Sequence, residues 1–309
     1  MHCVLVCFPL FSRSHFTVGD GAGRKREDRL FKEAAEHDRA TLDTSAYRTL
    51  LEAKEGTDDV TDSADRSPIE ISVSEKLMVT LDRDGVMKKF EVKGDMEVVV
   101  NDPNSTQCVI ETNVNPSRKL AFGKPSWRLH PRMNSSEWKK GVLCLKDLQK
   151  KFRVGRSSKQ SILKWRMSTS DEDRLPLTLE FWPEEDSGAV TVNAQFTSSA
   201  ALKHAIITFP TPTKQEPEIS SCEHGDTSFY RNDQELQWIL NDLEPDSTGS
   251  LEYVVDGVDV EDMWPISVHF EMESTYSQIQ VTKVRDIDDE ETFEHSVRNT
   301  CIAEKYIME

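Results

Sequence analysis

The chain has 309 residues, 37% of them hydrophobic and 30% charged, with 38 Lys and Arg against 55 Asp and Glu for a formal charge of −17. That length can bury a sizeable core in one large or two modest domains, and the composition excludes a chain disordered throughout. No apolar run reaches the roughly 18 to 20 residues a membrane-spanning helix needs, so a soluble protein is expected.

The opening MHCVLVCFPLF is apolar enough for a signal-peptide core, but it lacks a positively charged start, and the following SRSHFTVGD holds no small-x-small cleavage site. A mistaken start codon accounts for it equally well. From Gly19 to Arg66 the chain is charged and poor in β-branched runs. GDGAG has no strand before it and no Lys-Ser/Thr after it, so it reads as a flexible linker rather than a phosphate loop. Leu30, Phe31, Ala34 and Ala35, then Leu42, Tyr47, Leu50 and Leu51, suggest one weak amphipathic helix. Residues 1–66 are expected to form a partly disordered or helical N-terminal extension that adds little stability.

After Ser67-Pro68 the pattern changes to strands: IEISVSEKLMVTL, VMKKFEV, MEVVV and TQCVIET, separated by DRDG, KGD and NDPNS, and later LTLEFW, AVTVNAQF, HAIITF, GSLEYVV, ISVHFEM and SQIQVTKV. A period of two punctuated by Gly, Asp, Asn and Pro predicts antiparallel strands joined by short turns, and their number predicts an all-β sandwich. NSSEWKKGVLCLKDLQKKF interrupts them. Asn134 and Glu137 make a capping box, with Trp138, Val142, Leu145 and Phe152 near helical spacing and Gly141 inside, so a short helix and a long connection both stay open.

In ILKWRM, alternation puts Leu163, Trp165 and Met167 on one face and Ile162, Lys164 and Arg166 on the other, so Trp165 is expected in the core, with a partner-binding platform as its alternative. Charge is segregated around this strand. Between Arg118 and Arg166 there are 15 Lys and Arg against Glu137 and Asp147, a local +13 that leaves −30 elsewhere. Lys139, Lys140, Lys150, Lys151, Arg153 and Arg156 are expected to dock an acidic peptide or anionic lipid headgroups, the alternative being a solvated basic loop. Without an aromatic-interleaved RNA motif, nucleic acid is not expected.

Six cysteines, Cys3, Cys7, Cys108, Cys144, Cys222 and Cys301, include no C-x-x-C pair and read as reduced, mostly buried thiols. Cys222 and His224 are two candidate ligands where a structural zinc needs four, and DIDDEE, Asp286 to Glu291, lacks the glycine of a calcium loop. G-x-S-x-G, H-E-x-x-H and phosphate-loop motifs are absent from the sequence. No enzyme, metal or cofactor is expected.

ILKWRM, LPLTLEFWP, GSLEYVV, ISVHFEMESTYSQIQVTKV and EKYIME, in that order, resemble the C-terminal mu-homology domain of the coatomer delta, or archain, family. The most specific pieces are YSQIQVTKV, with Gln280, Val281, Thr282 and Lys283; LKWR, with Leu163, Lys164, Trp165 and Arg166; and FWP, with Trp182 and Pro183. These residues are expected to be structural. The resemblance runs from about Ile69 to Glu309 and implies an elongated pair of antiparallel β-sandwich subdomains within 67–309, the second inserted into the first: 69–170 with 265–309, and 175–260. The chain would leave the first sandwich at Ser168–Arg174 and return at MWPISVHF, so that the two tryptophan-bearing strands face different cores.

The resemblance also implies a non-catalytic role in the COPI coat, in transport between Golgi and ER and within the Golgi, at a cytoplasmic position peripheral on Golgi and COPI vesicle membranes. Implied partners are other coatomer subunits and tryptophan-containing peptides of ER tether and Arf-regulatory factors. A clathrin-type endocytic cargo adaptor of the same domain type is the alternative. The Trp and Arg with which those medium chains read a tyrosine signal are missing from Gln278–Val284, so tyrosine-signal binding is not implied. The family's longin-like domain has no counterpart in residues 1–67, which implies a truncated gene model, a fragment or a paralogue.

Overall fold

The first described element shows how this sequence makes its sheets. In β1 (Ile69–Leu81) all seven odd-numbered positions are buried, Glu75 among them, and the even-numbered ones are not, which is the period a pleated strand imposes. The computed structural model describes residues 66–117, 124–288 and 291–309. The expected N-terminal extension, with its weak helix, therefore lies outside the described residues except for Arg66. No helix among the described residues is long and apolar enough to cross a membrane.

The strands that follow are β2 (Met87–Val100), β3 (Val109–Thr112), β4 (Ser126–Leu129), β5 (Val142–Leu143), β6 (Gln160–Ser168), β7 (Leu177–Asp186), β8 (Ala189–Ser198), β9 (Leu202–Pro210), β10 (Glu218–Cys222), β11 (Asp226–Tyr230), β12 (Glu235–Leu243), β13 (Thr248–Asp256), β14 (Ile266–Met272), β15 (Val281–Arg285) and β16 (His295–Met308). They build a nine-stranded sheet, β11-β12-β9-β14-β16-β1-β2-β6-β4, a four-stranded sheet, β10-β13-β8-β7, and a three-stranded sheet, β15-β3-β5. The all-β expectation holds. Among the named strands one pairing departs from the antiparallel rule: β16 slots in beside β1 and runs parallel to it, from Ile69↔His295 to Leu81↔Met308.

Aromatic contacts join the four-stranded sheet to one end of the large one. Phe181 of β7 stacks on Phe209 of β9 at 5.6 Å, Phe196 of β8 meets Trp238 of β12 edge-on at 5.2 Å, and Tyr253 of β13 lies 5.6 Å from Phe209. Ile110, Leu143 and Val284 of the three-stranded sheet belong to the same buried cluster. β10, β11 and β12 are absent from the predicted strands, although ELQWIL buries Leu236, Trp238 and Leu240.

The large sheet does not break where the two subdomains were expected to part. β14 is hydrogen-bonded to β16 on one side and on the other to β9, with Val268↔Ile207 and His269↔Ile206 in register. β7 pairs with β8 and not with β14. Across Ser168–Arg174, one turn of 3-10 helix at Glu172–Arg174 leads from β6 to β7.

One local expectation needs correction. KGD is not a turn, because β2 runs through Gly94 unbroken. The glycine is there for clearance: a Cβ at position 94 would lie 1.9 Å from Trp165 Cε2. Of the two readings left open for 134–152, both apply in part: a single helical turn, Ser135–Trp138, is capped by Asn134 Oδ1, which accepts from the backbone N–H of Ser136 at 3.0 Å, and a long connection follows. Gly141, at φ +86°, then turns the chain into β5, a conformation that costs glycine little and other residues more.

Gly94→Ala should cost about 1–3 kcal/mol through overpacking, and the loss should shrink in a Trp165→Phe background because the smaller ring withdraws the clashing atoms. Chemical denaturation of the four variants checks this, and an undiminished loss in the double variant would refute the contact as its cause.

Candidate docking surface

Alternation along β6 sorts the LKWR residues. Leu163 and Trp165 turn into the core, while Lys164 and Arg166 are exposed. Both cations are matched by acids of β2. Lys164 Nζ lies 3.1 Å from Asp95 Oδ2, and the Arg166 guanidinium straddles the Glu91 carboxylate, donating from Nη2 to Oε2 at 2.8 Å with Nε 2.8 Å from Oε1. Burial raises the Asp95 carboxyl above its usual value, against the hydrogen bonds from Ser161 and Lys164.

Trp165 is a core residue with a specific polar partner. Its Nε1–H donates to Glu75 Oε1 at 2.8 Å; the same oxygen accepts from the Ser277 backbone N–H at 3.0 Å, and Oε2 accepts from the Tyr276 N–H at 2.5 Å. Burial pushes the Glu75 carboxyl up, and these hydrogen bonds oppose that rise. Trp165 also lies 6.0 Å from Trp127 of β4, which meets Trp138 edge-on at 5.4 Å.

Trp182 does not face a second core. It is 47% exposed on β7, an edge strand, because Leu177, Leu179 and Phe181 occupy the inward positions. The alternation in LTLEFW already contained that signal. Pro183 sits on the same edge strand, where a missing N–H is tolerated. Gln280 precedes β15 and is exposed; its N–H donates to Asn113 Oδ1 at 2.9 Å and its carbonyl accepts from the Asn113 N–H at 3.0 Å. Val281 and Lys283 are half-buried in β15 and Thr282 is exposed.

Arg118 and Lys119 of the basic stretch lie outside the described residues. Lys139, Lys140, Lys150, Lys151, Arg153 and Arg156 are all exposed. Lys140 pairs with Glu137 at 2.8 Å and Lys150 with Asp147 at 3.6 Å, whereas the side chains of Lys139, Lys151 and Arg153 make no ion pair among the described residues. The linear excess of charge is thus reduced in space: Glu91, Asp95 and Glu97, all from β2, answer Arg166, Lys164 and Lys159.

A groove of about 430 Å³ opens between the β4–β6 edge and the connection 146–159. Buried Met133, Leu145, Phe152 and Ile162 form its apolar lining, and Arg132, Arg153 and Lys159 line it with charge. Arg132 ties the connection down, donating to Gln160 Oε1 at 3.2 Å and to the carbonyls of Lys150 and Lys151, each at 2.8 Å. Phe152 N–H to Thr106 O and Gly155 N–H to Val100 O, both 2.9 Å, hold the other side. Burial, then the Arg132 charge, keeps His130 below the usual imidazole value, so this ring is neutral at neutral pH.

Of the six expected patch residues, the groove takes Arg153; Lys139 and Lys140 do not line it. Arg132 and Lys159 are additions that linear reading missed. Strand pairing and the bonds to Arg132 bring them together, and no spacing in the sequence marks that.

The model of the adaptor complexes medium subunit family matches residues 59–309. The chain belongs to this family. Coatomer subunit delta of Arabidopsis thaliana is 31% identical over 223 residues, covering 70% of this chain and 41% of that protein. Coatomer subunit delta-1 of Oryza sativa subsp. japonica is 29% identical over 246 residues, covering 77% and 45%. The chain therefore spans less than half the length of these curated relatives. The yeast delta-COP-I mu-homology domain, solved in complex with a Dsl1 WxWxV peptide, superposes with a TM-score of 0.69 at 18% identity over 79% of this chain and 99% of that one. That likeness establishes the mu-homology fold for this medium-subunit chain.

In this medium-subunit domain Trp165→Ala should cost about 3–5 kcal/mol, a buried-aromatic deletion, whereas Trp182→Ala should stay within about 0.5 kcal/mol. Comparable losses of thermal midpoint in the two variants would contradict the assignment of one ring to the core and the other to the surface.

Proposed function

We propose that this chain is a coatomer-delta-like, non-catalytic docking module of the COPI coat, acting in transport between Golgi and ER and within the Golgi from a cytoplasmic position peripheral on Golgi and COPI vesicle membranes. The observation that carries the reading is the 31% identity to a coatomer delta subunit across 70% of the chain. The yeast neighbour was solved with a WxWxV peptide bound, which supports tryptophan-containing peptides of tether and Arf-regulatory factors as ligands, with other coatomer subunits as assembly partners. The proposal keeps the division into 69–170 with 265–309 and 175–260 as two folding units sharing one sheet.

The exposed cations Lys139, Lys140, Lys150, Lys151, Arg153 and Arg156 belong to the same proposal as a surface for acidic partner peptides or anionic headgroups. At physiological salt, charges beyond about 8 Å are largely screened, so this local excess outweighs the distant acidic majority.

Affinity capture from cytosol with the full chain should recover coatomer subunits and not clathrin-adaptor partners; the reverse result would favour the endocytic alternative. A WxWxV peptide should bind the chain in direct titration. Replacing the six cations by Glu should weaken binding to polyaspartate and to phosphatidylserine vesicles, by roughly tenfold or more at low salt, with the thermal midpoint retained. Unchanged binding of both would reduce the patch to a solvated face.

A further inference from the structure

We infer that the groove between the β4–β6 edge and the connection 146–159 is the docking site for an acidic peptide segment that inserts one apolar side chain between its carboxylates. The inference rests on the peptide-docking reading above and assigns that reading a place and a ligand chemistry.

Two features of the groove have to be satisfied together. Part of its lining is apolar, from the edges of Met133, Leu145, Phe152 and Ile162. Part is cationic, from Arg132, Arg153 and Lys159. A purely apolar ligand would leave the Arg153 charge unmatched, and a purely acidic one would leave the apolar edges uncovered. A volume of about 430 Å³ falls within the roughly 300 to 1,000 Å³ typical of small-ligand pockets, enough for one large side chain with a neighbouring carboxylate.

The cations differ in what they have left to offer. Lys159 is engaged by Glu97 at 2.5 Å, and Arg132 is half-buried and committed to three hydrogen bonds. Arg153 is exposed and makes no ion pair among the described residues, so it is the charge free to meet an incoming carboxylate. Gln160, which also lines the groove, has its Oε1 taken by Arg132.

Depth decides between a peptide and a membrane. A bilayer presents a flat anionic surface and recruits exposed lysines, such as Lys139, which does not line the groove. A side chain that enters the groove passes the Arg153 guanidinium and meets the apolar part of the lining, and an arginine beside an apolar contact is the pattern of an interface hot spot.

The test uses the full 309-residue chain and three synthetic peptides: aspartates flanking one leucine, the same peptide with serine for leucine, and the same with asparagine for every aspartate. At low salt the first should bind roughly tenfold or more tighter than either control. Arg153→Glu should weaken it about tenfold by removing the charge, and Ser157→Trp by a similar factor through filling the groove. Lys139→Glu with Lys140→Glu should change it no more than about twofold. Arg153 and Ser157 are both exposed, and Arg153→Gln repeats the charge test with a milder change. Equal binding of the three peptides, or parent-like binding by Arg153→Glu and Ser157→Trp, overturns the inference. If those two variants bind like the parent while the six-fold Glu variant does not, the groove is refuted and the broader patch stands. If the six-fold variant also binds like the parent, both fall. Loss of phosphatidylserine vesicle binding in Ser157→Trp, with peptide binding intact, would assign the groove to headgroups and overturn the inference as well.

Discussion

A single buried carboxylate organises one half of this domain. Glu75 stands in the middle of β1, at a position the strand period directs inward, and its oxygens accept hydrogen bonds from Trp165 on β6 and from the backbone of Tyr276 and Ser277 between β14 and β15. The partners lie 90 to 202 residues away in sequence. A carboxylate taken out of water is costly unless donors surround it, so the connection after β14 and the ring of Trp165 have few alternative placements. The absence of a Cβ at Gly94 lets the indole pass over β2 to reach its acceptor, and Trp165 in turn lies against Trp127, next to Trp138. The β4–β6 edge that borders the basic groove is therefore positioned from the centre of the sheet.

The return of the chain is held by comparable devices. β16 inserts between β1 and β14, and the Tyr306 hydroxyl near its end donates to the Leu177 carbonyl at the start of β7. Tyr276 reaches the Arg174 carbonyl at 3.4 Å. The second bond ends on the segment joining β6 to β7, the first on the opening residue of β7. Together with the β9–β14 pairing, they couple the two strand sets through hydrogen bonds.

Charge is distributed by strand. β7, β8, β10 and β13, the whole four-stranded sheet, contain Glu180, Glu184, Glu185, Asp186, Glu218, Glu252 and Asp256 and no Lys or Arg. The cations gather instead at the β4–β6 edge and in the connections beside it. That segregation was legible as a run between Arg118 and Arg166. Which cations remain available was not, because the neutralising acids Glu91, Asp95 and Glu97 are contributed by β2, more than 60 residues upstream of their partners in the case of Lys159, Lys164 and Arg166. The solvent-facing pairs Lys159–Glu97 and Lys164–Asp95 contribute little stability, but they decide where charge is left unmatched.

The sequence by itself determined the all-β class, the period-two burial of β1, β6 and β7, the inward face of Trp165 and the family, because each is carried by neighbouring residues or by contiguous motifs. Even the outward face of Trp182 was contained in LTLEFW, where Leu177, Leu179 and Phe181 take the inward positions and alternation leaves the ring the other face. Only the tertiary structure decided the parallel pairing of β1 with β16, the continuity of the large sheet through β9 and β14, the reason for Gly94, and the groove that sets Arg132, Arg153 and Lys159 over Phe152. Strand register and side-chain clearance between distant segments fix these features, and a local pattern does not encode which strand a given edge will meet.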